Sequence, residues 1–449
     1  MSRRGIVIVL TVGALAALAA LGLLLVPASA APEERASGWE HEFYEPLFWA
    51  VQEIKLKYVD EVDPQVLLRG ALEGMTNRLD DYSTYIPPKR YQEFQDDTKG
   101  EFGGLGIHIR FLDIEKAVRV EQVMPGTPAF RAGVLPEDLI LRIREESTGA
   151  VVETHTFQDV HDAVRVLRGE PGAKVTLTLV RKESGKMRQM TIKREVIKVP
   201  SVRGVRIVDS ESGIGYLYLD GFNEHTVADL LAAVRDLRKQ GMKALIIDLR
   251  FNPGGLLRTS VRVSDMFLTE GVVVSTRGRT SGQEVYEASR GELVPDMPIV
   301  LLVNRYSASA SEIVSAALKD HQRAILVGET TYGKGSVQTV LENAERRDGL
   351  KLTTSRYYSP AGVCIDKIGV KPHLEIKLSQ EDLVALAASL GNLGDYPEDE
   401  GGEPALKAPT EVPEELQDFQ DVQLQRAIDV LGSMVAREGA PIAASAAAP

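Results

Sequence analysis

Ile299-Val300-Leu301-Leu302-Val303-Asn304-Arg305-Tyr306-Ser307-Ala308-Ser309-Ala310-Ser311-Glu312-Ile313 carries an unbroken aliphatic run into a crowd of small residues. A short run with no polar face predicts a strand buried on both sides. Ser309 to Leu318 then reads as the helix that follows it. Gly215 to Leu219, Ala244 to Leu249 and Ala324 to Val327 repeat the buried-strand pattern, and Val227 to Gln240 is a helix between the first two. Strands alternating with helices from Ser201 to Glu375 predict an α/β layer.

Upstream of that layer the pattern changes twice. Phe43, Leu47, Val51, Ile54 and Tyr58 recur at three- and four-residue steps and predict an amphipathic helix. Asp63-Pro64 starts a second helix, Asp80-Asp81-Tyr82-Ser83 and Pro87-Pro88 break it, and Tyr91 to Phe94 form a last helical turn. This helical module, 39–98, carries no chemical motif. Phe102-Gly103-Gly104-Leu105-Gly106-Ile107 reads as a glycine-rich loop running into a strand. Strands at Val118 to Val123, Asp138 to Ile143, Val175 to Val180 and Met190 to Lys193, with a helix at Phe157 to Leu167, complete a small β-rich domain over 99–195. The core spans 196–375. A helix, an acidic linker (Asn392 to Pro413), a helical segment from Glu414 and an Ala-rich tail fill 376–449.

The 449 residues carry 52 basic and 64 acidic side chains, a net charge of −12, with no basic run. A nucleic-acid partner is therefore not expected, since such binders exchange counterions through a basic patch. A single cysteine, Cys364, excludes an internal disulfide framework and a Cys-based zinc site, and no metal or cofactor is expected. Arg3 and Arg4, the apolar run Gly5 to Val26 and Ala28-Ser29-Ala30 make an export signal over 1–30, cleaved after Ala30 or retained as an anchor. Either way the remainder is expected outside the cytoplasm, in the periplasm or cell envelope.

Two segments hold the chemistry. At a strand-to-helix junction the helix dipole and free N–H groups favour developing negative charge, which suits a nucleophilic serine. Ser309-x-x-Glu312 also spells a capping box, and Ser307 or Ser311 could cap equally well. None of the seven histidines stands in a pattern that suggests a base. Lys334, in Gly333-Lys334-Gly335-Ser336-Val337-Gln338, is the better candidate if desolvation lowers its pKa. If Ser336 to Val340 is a strand, Lys334, Ser336 and Gln338 share a face, and Gln338 could hold the amine. Gly328 to Lys334 nearly spells a phosphate-binding loop, but Gly335 stands where a hydroxyl is required and a strand pattern follows. Asp248-Leu249-Arg250-Phe251-Asn252-Pro253-Gly254-Gly255 ends a buried strand in a tight turn.

Taken together these segments resemble the C-terminal processing (tail-specific) peptidases, secreted serine proteases with an embedded PDZ domain. The resemblance runs from Phe43 to Glu375 and includes Leu79-Asp80-Asp81-Tyr82-Ser83 and Leu167-Arg168-Gly169. It implies a crotonase/Clp-protease-like α/β core with an inserted PDZ domain. It assigns the nucleophile to Ser309, the base to Lys334 and its orienting partner to Gln338. Backbone N–H groups of Gly255 and Ala310 would form the oxyanion hole, with Gly254 adjacent. Leu105, Gly106 and Ile107 would receive the substrate's free carboxylate, and Arg168 would couple the PDZ domain to the core. The partners implied are polypeptides with unstructured apolar C-termini, a regulatory or adaptor protein, and a second copy in a homodimer, supported by a terminal helix near Asp421 to Leu431. Val363-Cys364 departs from the family's usual polar pair. The alternative reading is an inactive PDZ-containing adaptor.

Overall fold

The computed structural model describes residues 39–112, 114, 116–182, 184–289, 297–391 and 419–439; the export signal, the linker and the Ala-rich tail lie outside the described residues. The chain divides into two compact units at Arg78/Leu79. The first holds the helices Trp39–Lys57 and Pro64–Thr76, the second capped by Asp63, whose carboxylate accepts from the Gln65 N–H at 2.9 Å. Phe48 and Trp49 remain 68% and 64% exposed, so the apolar surface of the first helix is not consumed by packing within the unit. Among the described residues no helix is long and apolar enough to cross a membrane.

The second unit is built on a six-stranded sheet in the order Val202–Asp209, Ile214–Leu219, Ala244–Asp248, Ile299–Val303, Ile325–Gly328 and Leu374–Glu375. The first pairing is antiparallel and the other four are parallel. Its inner strands are largely apolar because both faces are covered, with Asp248 the charged exception at a strand end. Leu217, Leu219, Leu245 and Ile247 pack under the helices Thr226–Lys239, Leu257–Asp265 and Ala310–Asp320. Tyr216, Tyr218, Ile246 and Leu302 face the helix Val422–Gly439, which buries Ala427 and Leu431 against them.

A second, antiparallel sheet pairs the long strand Asp348–Tyr358 with Thr84–Ile86, Val272–Gly278 and Ser336–Asn343, and Gly282–Glu287 adds at the edge. The helix Pro88–Lys99 is a full three turns where a single turn was expected, and it packs on Asp348–Tyr358.

The third sheet runs Ile107–Leu112, Ala117–Val123, Leu139–Glu145, Lys174–Val180 and Met187–Lys193, with Val151–Glu153 on Leu139–Glu145. The helix Val160–Leu167 covers it through Ala163 and Leu167. Gly103 and Gly104 are not part of a loop. They lie in the strand Glu101–Gly104, paired with Glu195–Lys198 in a ribbon that leads into and out of this domain. A Cβ on Gly103 would stand 2.0 Å from the Gly169 carbonyl oxygen, so the glycine serves close approach rather than a turn. Gly106 alone in the stretch has a left-handed φ, +77°.

Arg250 anchors the C-terminal helix to the core. Its wholly buried guanidinium donates to Asp248 (2.9 and 2.6 Å), to Asp421 (2.9 and 2.7 Å) and to Gln423 (3.0 Å). Removing one partner of a buried ion pair leaves charge that solvent cannot reach. Asp421→Ala is therefore expected to lower stability by roughly 2 kcal/mol, with Asp248 retaining the rest of the contact; a urea midpoint equal to wild type would refute the anchor.

Candidate active site

The strand Ile299–Val303 delivers the chain to a junction where polar groups are almost fully spent. Asn304 Oδ1 accepts from the N–H groups of Phe251 (3.0 Å) and Tyr306 (3.1 Å). Ser307 Oγ donates to the Leu249 carbonyl at 2.8 Å, and Ser311 Oγ donates to the Asn252 carbonyl at 3.0 Å. These bonds bury both flanking serines against the Asp248–Gly255 turn. Ser309, between them, is the serine left partly open. Its backbone sits at φ +55°, ψ −111°, a strained conformation for a residue with a side chain. Ser309 and Glu312 form the expected capping box, in which the Glu312 carboxylate accepts from the Ser309 N–H and the Glu312 N–H turns back to Ser309, donating to its carbonyl at 2.9 Å.

Glu312 is fully buried and gathers the junction. Its Oε2 accepts from the Ser309 N–H (2.8 Å) and the Lys334 N–H (2.9 Å); its Oε1 accepts from Thr331 Oγ1 (2.5 Å) and the Gly333 N–H (2.8 Å). Burial pushes its pKa up, while these four bonds oppose that rise by stabilising the ionised form.

Ser309, Lys334, Gln338, Gly254, Gly255 and Tyr357 line one cleft of about 540 Å³, and no histidine lines it. Lys334 lies at the mouth of the strand Ser336–Asn343, as the alternation predicted, and not before a helix. Its Nζ stands 4.6 Å from the centre of the Tyr82 ring. Its pKa is brought down from 10.5 to about 8, chiefly by burial and also by nearby Lys351, with Glu312 opposing. Gln338 shares the cleft, but its amide donates to Ser336 Oγ (2.7 Å) and Thr353 Oγ1 (3.3 Å), and no hydrogen bond joins it to Lys334. The shared face that brought the three side chains together also sets Ser336 between them, where it intercepts the amide.

The Gly-Gly turn reaches Ser309 from the other side. A Cβ on Gly254 would stand 2.8 Å from Ser309 Cβ and 2.9 Å from the Ala310 nitrogen. The Gly254 N–H is spent on Asn252 Oδ1 at 2.9 Å. The Gly255 N–H is not engaged among the described residues, and Ala310 opens a helix, where the N–H has no partner within the helix.

A family model for peptidase family S41 matches residues 213–376, and one for a PDZ domain matches 119–181. The carboxy-terminal-processing protease of Bartonella bacilliformis is 39% identical over 331 residues, 73% of each chain. The carboxy-terminal processing protease CtpA of Bacillus subtilis is 34% identical over 337 residues, 75% of this chain and 69% of the relative. Among solved structures, the photosystem II D1 C-terminal processing protease is 30% identical with a TM-score of 0.43, covering 74% of this chain and 86% of that one. The chain belongs to peptidase family S41, with the carboxy-terminal processing proteases. It is a serine-type peptidase carrying a PDZ domain.

Two parts of this S41 peptidase differ from what sequence reasoning expected of them. The helical stretch ahead of the PDZ domain was expected to carry no chemistry, yet Tyr82 covers Lys334, and Phe94 and Thr98 line the cleft. Asp80-Asp81-Tyr82-Ser83 was the available signal, read as a helix break and as part of the family resemblance but given no role at the site. Its Asp80 accepts from the Tyr82 and Ser83 N–H groups (2.8 and 2.7 Å), which fixes the tyrosine. In the PDZ domain, the Leu105 side chain is buried in the core, so only its backbone faces outward chemistry. Gly106 and Ile107 lead into an edge strand of the PDZ sheet. Arg168 packs over the Phe102 ring at 4.1 Å and does not line the cleft. Among the described residues no cluster of His, Cys, Asp or Glu is arranged to hold a metal.

Glu312→Gln would turn an NH₂ towards two N–H donors. Peptidase activity is expected to fall at least 100-fold, with about 2 kcal/mol of stability lost as buried donors go unpaired. Wild-type turnover in this variant would show that the carboxylate does not organise the site.

Proposed function

We propose that Ser309 and Lys334 form a Ser–Lys dyad that cleaves exported polypeptides near their C-terminal ends. What carries this reading is their joint placement: both line one cleft, and both hang by their backbone N–H groups from the same Glu312 oxygen. The neutral Lys334 amine takes the Ser309 O–H proton as Oγ attacks the scissile carbonyl. The resulting oxyanion is held by the N–H groups of Gly255 and Ala310, which the fold leaves unspent. The protonated amine then gives its proton to the leaving nitrogen, and water, activated by the same amine, hydrolyses the Ser309 ester. Gln338 keeps the strand face around Lys334 in register through Ser336 and Thr353.

The PDZ domain (99–195) is inserted before the core (196–375) and would take the substrate's free carboxylate on the backbone of Leu105, Gly106 and Ile107. An apolar peptide end would add alongside the edge strand Ile107–Leu112. Arg168, stacked on the ribbon that leads to the core, couples peptide capture to the cleft, and a regulatory or adaptor protein would act at the same junction. An export signal at 1–30 would put the reaction in the periplasm or cell envelope. The exposed Phe48 and Trp49 suit burial against a second copy of this chain in a homodimer. The C-terminal helix is already committed to the core sheet. Sedimentation equilibrium at micromolar concentration should give twice the chain mass, and Trp49→Glu should shift it towards the monomer; a wild-type monomer would refute the dimer.

The deciding experiment compares wild type, Ser309→Ala and Lys334→Ala on an unfolded reporter with an apolar C-terminus, either free or amidated. Products are read by mass spectrometry. Both variants should lose on the order of 10³-fold or more in rate, and the amidated reporter should be cleaved poorly. Cleavage by Ser309→Ala at the wild-type rate would refute the dyad, while an inactive wild type would favour the adaptor. Because the amine and not the ammonium is the base, rate should fall about tenfold per unit below pH 8. A profile flat from pH 6 to 9 would refute a lysine base.

A further inference from the structure

Tyr357 sits near the end of the strand Asp348–Tyr358, and its hydroxyl is buried with no hydrogen-bond partner. Buried hydroxyls in folded proteins are almost always paired, and an orphan calls for an explanation. Its setting supplies one. Tyr357 is 2% exposed and lines the catalytic cleft. The Ser309 side chain lies beside its hydroxyl, without closing a hydrogen bond. Its backbone is strapped to the lysine loop, the Tyr357 N–H donating to the Gly335 carbonyl at 2.9 Å. On its other edge it pairs with Thr276 of Val272–Gly278. The ring is therefore fixed relative to both members of the proposed dyad.

We propose that Tyr357 is a further catalytic residue, whose hydroxyl donates a hydrogen bond to Ser309 Oγ as the serine loses its proton. The inference rests on the Ser–Lys reading and deepens it. In the acylation step the Ser309 proton passes to Lys334 Nζ, the Oγ–carbon bond forms, and the carbonyl π electrons move onto the oxyanion. Tyr357 keeps its own proton throughout. Its contribution grows as charge builds on Oγ, because a hydrogen bond to an ionised acceptor is stronger than one to a neutral acceptor. Burial and the Glu312 carboxylate push the phenol's pKa well above its usual value, so it remains a donor over the whole working range. Ser307 and Ser311 cannot take this place, since each hydroxyl is spent on a backbone carbonyl.

Tyr357→Phe tests the proposal, since it deletes only the orphaned oxygen. Acylation is followed with a fluorophosphonate probe and with the apolar reporter, using the full protein and Ser309→Ala as control. The expected result is a five- to tenfold slower acylation, of the order one hydrogen bond supplies. KM should be unchanged, the melting temperature equal to or above wild type, and the pH midpoint near 8 retained. Acylation at the wild-type rate would overturn the proposal. So would a slower rate accompanied by a lower melting temperature or a shifted midpoint, which would mark Tyr357 as packing for Lys334. If Ser309→Ala reacts with the probe like wild type, the dyad itself fails, whatever Tyr357→Phe does.

Discussion

The Glu312 carboxylate is the constraint on which the rest of the site depends. A buried charge is tolerated only when its lone pairs are satisfied, and Glu312 meets that demand with four donors from two segments. Two come from the backbone of the proposed nucleophile and base themselves, so neither segment can shift without unpairing a buried oxygen. The strained Ser309 backbone costs about 1–3 kcal/mol, and one charge-assisted hydrogen bond contributes about as much. Thr331 extends the network, donating to Glu312 and accepting from the Val370 N–H at 2.7 Å. The lysine loop is thus held from both ends, and the Lys334 side chain is the part left to respond to its surroundings.

That response is decided by burial. Lys351 and Glu312 act on Lys334 with opposite signs, and desolvation, the largest effect, sets the direction. A fall from 10.5 to about 8 corresponds to roughly 3 kcal/mol against the ammonium form. The Tyr82 ring face favours the cation by about 0.5–1 kcal/mol, too little to reverse it.

Legibility in the sequence followed how local each signal was. The strands Ala244–Asp248 and Ile299–Val303 were readable because both faces are buried, which leaves an aliphatic run with no polar face. Asp348–Tyr358 was not, since its half-buried positions mix Leu, Lys, Thr and Ser, and only pairing on both edges makes it a strand. The three serines of the junction were indistinguishable locally. Their partners, the Leu249 and Asn252 carbonyls, stand more than fifty positions away, and these contacts set Ser309 apart. Tyr82 and Tyr357 were given no role for the same reason: even where a motif holds a tyrosine, its place at a site is made by tertiary contact.

The Asp248–Gly255 turn explains why distant parts of the chain bear on one reaction. It leaves the carboxyl end of a central parallel strand, the position where α/β sheets concentrate their chemistry. Arg250 reaches back to Asp421 and fastens the C-terminal helix. Asn252 donates to the Leu219 carbonyl at 2.7 Å and accepts, through its own carbonyl, from Ala308 and Ser311. Two residues later Gly254 lies against Ser309 so closely that a methyl group would collide with it. The Gly255 N–H is positioned by the same short turn that holds the C-terminal helix, the neighbouring strand and the serine junction. Loosening any of these would be felt at that N–H, because the other N–H groups from Leu249 to Gly254 have partners among the described residues and it has none.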